Sequence, residues 1–100
     1  NQINRFDEKD LEMLAEQIEV SIMGNQKKYD SINKQRIKFN QKKILFIVNY
    51  AINNNSNPLS AFITYKYKAN ISKNYLEKIY ESLIDEVKDS YYGNKLSTSL

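Results

Sequence analysis

The chain has 100 residues, a formal net charge of +3, an apolar share of 41%, and no His, Cys or Trp. That is enough for one domain with one hydrophobic core, and it excludes disulfides, thiolate metal sites and imidazole chemistry. The longest apolar run, Ile44 to Ile52, is interrupted by Asn49, far short of the about 20 residues that span a bilayer.

Asn1-Gln2-Ile3-Asn4-Arg5 holds no apolar signal-peptide core, so a cytoplasmic address is expected. Asn, Lys, Ile and Tyr are frequent, a bias associated with AT-rich codons and a low-GC, Gram-positive bacterium. Residues 7–19 carry six acids and one base, and residues 27–43 carry seven bases and one acid. Such blocks either steer a charged partner or neutralise each other within the fold.

The two glycines and the single proline, Gly24, Gly93 and Pro58, fall between apolar-periodic segments, which predicts an all-α chain. A first helix is expected over 7–23. Asp7 would cap it, Phe6 and Leu11 would form a hydrophobic staple, and Gly24 would stop it. Leu11, Leu14, Ala15, Ile18 and Ile22 form its expected inner face, and Met13 and Val20 a second, off-axis apolar pair. A second segment covers 30–53. It is weakly amphipathic up to Asn40-Gln41 and apolar nearly all round from Ile44, and the pattern leaves one long helix or two short ones open. A third helix over 57–69 takes Asn57 as cap and Pro58 as its first residue, with Leu59, Phe62, Ile63 and Tyr67 inward. A fourth over 72–92 takes Ser72 as cap, with Leu76, Ile79, Tyr80, Leu83, Ile84, Val87 and Tyr91 on one face. Gly93 would end it, and 94–100 would be a short flexible polar tail anchored by Leu96; removal of Gly93–Leu100 is expected to leave helicity intact. Short connections favour an antiparallel up-down four-helix bundle, read as a single domain over 1–100. In it the acidic first helix could face the basic second one.

Little in the chain is reactive. The carboxylates fall on polar helix faces, and pairs such as Glu12/Glu16 and Glu81/Asp85 lack the inward Glu-x-x-His companions of di-metal bundles. No Gly-rich loop cradles phosphate, and Ser56, Ser60 and Ser72 have no base to activate them. The expectation is therefore no enzyme, no catalytic residue, no cofactor, no metal and no small-molecule substrate. The stretch Lys27–Lys43, with Tyr29 and Phe39 as stacking rings, carries the alternative reading of a small basic nucleic-acid-binding or regulatory protein. A single Arg there weakens base readout. A third reading is a dimeric helical adaptor that shares Ile44–Ile52.

Tyrosines carry the remaining signal. Tyr67, Tyr80 and Tyr91 fall on expected inner faces. Tyr65, Tyr75 and Tyr92 point elsewhere, near Lys66, Lys68 and Lys95, where large rigid side chains suit a protein contact.

The stretch Asn57-Pro58-Leu59, Phe62-Ile63-Thr64-Tyr65-Lys66-Tyr67-Lys68 and Ile71-Ser72-Lys73-Asn74-Tyr75-Leu76-Glu77-Lys78-Ile79-Tyr80 resembles the enterocin A / pediocin-like (class IIa) bacteriocin immunity proteins. These have an aromatic-rich third helix, a Lys-containing turn, and a fourth helix opening on a Leu-x-x-Leu/Ile-Tyr step. Ser72 stands where many members have Pro. The resemblance implies a four-helix bundle that protects the cell from a pore-forming peptide. It implies action from the cytosolic side, near the membrane, on the bacteriocin-bound membrane component of the mannose phosphotransferase system. It also implies that the C-terminal half selects the bacteriocin. On this chain that region is Tyr65, Lys66 and Lys68 with Tyr91, Tyr92, Lys95 and Leu96.

Overall fold

The structure, a computed structural model, describes residues 2–100. Those residues are all-α, without a strand. Six α-helices run in order: α1 (Gln2–Ile22), α2 (Gln26–Asn53), α3 (Pro58–Lys66), α4 (Lys73–Ser82), α5 (Asp85–Lys88) and α6 (Tyr91–Ser99), with a 3₁₀ turn at Lys68–Asn70 between α3 and α4. The chain divides into two compact units, one ending at Lys43 and one comprising Ile44–Leu100.

In the first unit, α1 is already helical at Gln2, so Asp7 lies inside the helix and does not cap it. Asp7 pairs with Lys43, and Phe6 packs on Phe39 with ring centroids 5.1 Å apart instead of stapling Leu11. Arg36 donates two hydrogen bonds to Asp10, from Nε to Oδ1 at 3.0 Å and from Nη2 to Oδ2 at 3.3 Å. Its Nη1 donates to Gln17 Oε1 at 2.8 Å, and Gln17 Nε2 donates to Asn33 Oδ1 at 3.2 Å. The partner numbers fall along α2 as they rise along α1, so α1 and the start of α2 are antiparallel.

The opposed charge blocks meet in the Asp7–Lys43 and Asp10–Arg36 pairs. The hydrogen bond to Asp10 holds the Arg36 guanidinium above its ordinary pKa, against the opposing pull of burial. Gln17 is buried with both ends of its amide bonded, as a buried amide must be.

This polar ladder fixes which way α1 faces. Met13 and Val20 join Ile32 in the core, with Tyr29 and Phe39 against them. The expected inner face turns outward: Leu11 is 65%, Ile18 53% and Ile22 83% exposed. Gly24, at φ +73°, closes α1. The Asn25 N–H bonds to the Val20 carbonyl and the Gly24 N–H to that of Ser21, the paired bonds of a Schellman stop. Asn25 Oδ1 then accepts from the Lys28 N–H at 3.1 Å and starts α2, which continues unbroken to Asn53.

In the second unit, Asn57 caps α3 by accepting from the Leu59 N–H, and Pro58 opens the helix. The buried face of α3 is Ser60, Ala61, Ile63 and Thr64; Leu59 and Phe62, expected inward, are exposed. Ser60 and Thr64 can be buried because their hydroxyls donate to the backbone carbonyls of Asn54 and Ser60, each at 2.7 Å.

Ser72 caps α4 through the Tyr75 N–H. The single helix expected over 72–92 is three pieces, and Asn55 makes the first break. Its side-chain N–H₂ donates to the Ser82 carbonyl at 2.9 Å, and its carbonyl accepts from the Ile84 N–H at 3.2 Å. Those groups would otherwise propagate the helix, and Leu83 and Ile84 are extended instead. Ser90 then caps a new helix by accepting from the Gly93 N–H.

The expected tail over 94–100 is therefore helical as far as Ser99. Leu96, only 1% exposed, sits in a core cluster with Ala61, Leu83 and Val87. Gly93 does not stop a helix; it lets α6 lie against α5, since a Cβ there would overlap the carbonyl oxygens of Val87 and Lys88.

These contacts rank three substitutions. Leu96→Ala should cost about 3 kcal/mol through the cavity it leaves. Gly93→Ala should cost about 2 kcal/mol or more, because backbone must move. Gly24→Ala, where nothing lies near the added methyl, should cost about 1 kcal/mol from the left-handed backbone alone. Urea unfolding followed by circular dichroism measures all three.

Candidate functional site

Of the residues singled out by the tyrosine pattern, Tyr65, Tyr92, Lys68 and Lys95 converge where α3, the 3₁₀ turn and α6 meet, whereas Tyr75 stands apart on α4 with Lys78 over its ring at 5.8 Å. Tyr92 is the hub. Its ring lies 4.9 Å from Phe62, 5.7 Å from Tyr65 and 5.0 Å from Tyr91, at tilted or edge-on angles that suit the ring quadrupoles. Two lysines lie over this aromatic chain, Lys68 at 4.5 Å from the Tyr65 centroid and Lys95 at 5.4 Å from that of Tyr91. Each such contact contributes about 0.5–1 kcal/mol. Lys68 also donates to Ser99 Oγ at 3.2 Å, tying the turn after α3 to the end of α6.

The seven candidate residues divide three ways. Tyr65, Tyr91, Tyr92, Lys68 and Lys95 form the connected patch. Lys66 stands over Tyr67 at 5.4 Å, apart from these ring contacts. Leu96 is buried in the core, so it supports the patch from beneath and is not a contact residue. Tyr91 and Tyr92 exchange the places their helical phase predicts. Tyr91 is 67% exposed, and Tyr92 is half-buried against the core cluster. The cause is the restart of the helix at Ser90, which resets the phase. Phe62, expected in the core, belongs to the patch; its position three residues before Tyr65, one turn away on the same helix face, is the signal that places it.

Chemically the patch offers ring faces and edges, phenol hydroxyls that donate and accept, and ammonium groups. Those suit a protein surface bearing carboxylates or apolar side chains. Tyr91, Asn94, Lys95 and Thr98 line a shallow depression on α6. Among the described residues no three carboxylates gather where they could hold a metal ion, and no helix is long and apolar enough to cross a membrane.

The patch separates support from contact. Tyr92→Ala should destabilise the fold by about 2 kcal/mol, since it removes a half-buried ring with three aromatic neighbours. Tyr91→Ala should change stability by less than about 0.5 kcal/mol. Thermal melts of the two variants give the comparison. No family model, curated protein or solved structure matches the chain.

Proposed function

We propose that this chain is a bacteriocin immunity protein of the pediocin-like class, and that it acts by occupancy and not by catalysis. In this reading it works in the cytoplasm, beside the membrane. It engages the bacteriocin-bound membrane component of the mannose phosphotransferase system through the α3–α6 patch. The observation that supports the reading is that the stretch in which the family resemblance lies, Asn57 to Tyr92, folds into one patch: it supplies Phe62, Tyr65, Lys68, Tyr91 and Tyr92, with Lys95 just beyond it. An exposed tyrosine with a lysine over its ring presents large contact area at small entropic cost.

A second reading has its own observation. Lys27, Lys28, Lys34, Lys38 and Lys42 are exposed along α2, and the two bases of that stretch engaged by α1 acids are Arg36 and Lys43. A basic row of this kind suits a polyanion such as nucleic acid.

The two readings separate by experiment. Expressed in a bacterium sensitive to pediocin-like peptides, the chain should raise the tolerated concentration of at least one of them. The Tyr91→Ala/Lys95→Ala variant, folded as judged by circular dichroism, should lose about tenfold or more of that protection, the equivalent of one or two contact residues. Absence of protection against a full panel would sink the first reading. For the second, DNA and RNA binding measured from low to physiological salt should show a steep negative slope; no binding at low salt removes it.

A further inference from the structure

The opposed charge blocks of α1 and α2 neutralise each other only in part. Asp7 and Asp10 are taken up by Lys43 and Arg36. Glu8, Glu12, Glu16 and Glu19 of α1 stay exposed, and so do Lys27, Lys34, Lys38 and Lys42 of α2. Glu12 has one exposed contact, with Lys9 at 3.6 Å; the rest have no ion-pair partner among the described residues. Asp10 and Gln17 turn towards α2, and Arg36 and Lys43 turn towards α1. At about 100° per residue this puts Glu8, Glu12 and Glu19 on the half of α1 away from α2, with Glu16 at its margin. It puts the four lysines on the half of α2 away from α1. The α1–α2 hairpin of the first unit is thus acidic along one outer edge and basic along the other.

The two edges also match in height. One step up α1 is one step down α2, and the register that pairs Asp7 with Lys43 and Gln17 with Asn33 sets the levels. It puts Glu8 level with Lys42, Glu12 with Lys38 and Glu16 with Lys34. Each row advances by four residues, about 6 Å, per charge. The exposed Leu11 and Ile37 lie within two residues of a common level, on the opposite margin of the two rows. The one acid of this part of α2, Asp30, lies on that margin too, and accepts a hydrogen bond from Gln26 Nε2 at 2.9 Å.

We infer that the partner of these edges is a second copy of this chain, laid side by side so that the glutamate row of one hairpin meets the lysine row of the next. A polyanion or an anionic bilayer would engage the lysine row alone, whatever the sign and level of the glutamates. The level-for-level match suits a body that carries acids at one-turn spacing over the same length, and α1 is that body. Because the rows lie on opposite edges, a two-fold dimer cannot join both pairs at once. The contact is head-to-tail and repeats from copy to copy. Exposed pairs of this kind are individually weak and screened by salt, so the association belongs to low ionic strength and high local concentration. The inference is independent of the α3–α6 patch, and it competes with the nucleic-acid reading for the lysine row.

The test is sedimentation velocity on the full chain, freed of nucleic acid. At about 20 mM salt the weight-average sedimentation coefficient should climb with concentration up to about 1 mM, without levelling at a dimer. At about 300 mM salt, where the screening length falls below about 8 Å, the chain should be monomeric. Lys34→Glu/Lys38→Glu/Lys42→Glu should be monomeric in both salts, and so should Glu8→Lys/Glu12→Lys/Glu16→Lys. The sixfold variant that combines the two sets has the net charge of the original chain and should recover the association. Circular dichroism melts confirm that each variant is folded, as expected for exposed positions. The chain has no cysteine, so mixed disulfides report the level match. Glu12→Cys mixed with Lys38→Cys should cross-link at low salt at least fivefold faster than Glu12→Cys mixed with Lys27→Cys.

A chain that stays monomeric at low salt would overturn the inference, and with duplex DNA binding it would assign the lysine row to the nucleic-acid reading. A plateau at the mass of a dimer, a sixfold variant that fails to recover, or equal cross-linking at the two lysine positions would overturn it as well. Protection assays on the α3–α6 patch variants are read separately, so failure of either proposal leaves the other standing.

Discussion

The three-way engagement of Arg36 sets the rotation of α1. A guanidinium has five donors and no acceptor; here all three of its nitrogens bond Asp10 or Gln17, and Gln17 passes the chain of bonds to Asn33. Taking any of these groups out of the ladder would leave a buried amide or a half-buried charge unpaired, at a cost of about 1–3 kcal/mol. Turning α1 so that Leu11, Ile18 and Ile22 point inward would break the ladder as a whole. The smaller set Met13, Val20 and Ile32 forms the contact instead, and the larger aliphatic set stays in water.

The same logic operates in α3 with neutral groups. Ser60 and Thr64 are completely buried, yet neither hydroxyl is orphaned, because each bonds a carbonyl of its own segment. Self-satisfied hydroxyls behave as small residues, and Ala61 beside them shares a core cluster with Leu96 of α6. The bulkier Leu59 and Phe62 are displaced to the outside, where Phe62 meets Tyr92. In both helices, then, burial follows whether polar groups find partners, and not how many bulky aliphatic side chains share a face.

That rule separates what the residues disclose from what they conceal. Local signals carry well: Gly24 as a left-handed stop, Asn57 with Pro58, and the Ser72 cap all depend on the few residues around them. So does the helical class. The start of α1 departs from expectation because Asp7 looks like a cap, while its partner Lys43 lies 36 positions away. The fourth helix is shorter than its periodicity suggests because the interruption at Leu83-Ile84 comes from Asn55, a residue in a different turn. Nothing in residues 72–92 signals that break. The candidate patch is half legible. Tyrosines next to lysines stand out in the sequence, but which of Tyr91 and Tyr92 faces out depends on the helix phase after a restart that Ser90 alone announces. Leu96 is the anchor its isolation in a polar stretch suggests, and as such it cannot also be a contact.

The two inverted helices bear directly on function. Exposed aliphatic stripes are costly in water, and contiguous ones mark contact surfaces more often than scattered leucines do. Here the stripe on α1 and the rings beside α3 share one origin. In each case a satisfied polar set occupies the interior and pushes bulky side chains outward in a fixed arrangement. A surface produced in this way is pre-organised: Tyr92 is held by its packing on the core, and Ile18 and Ile22 project from a helix whose rotation is locked by Arg36. Such rigidity reduces the conformational entropy lost when a partner docks. It is the property that the proposed action by occupancy would need.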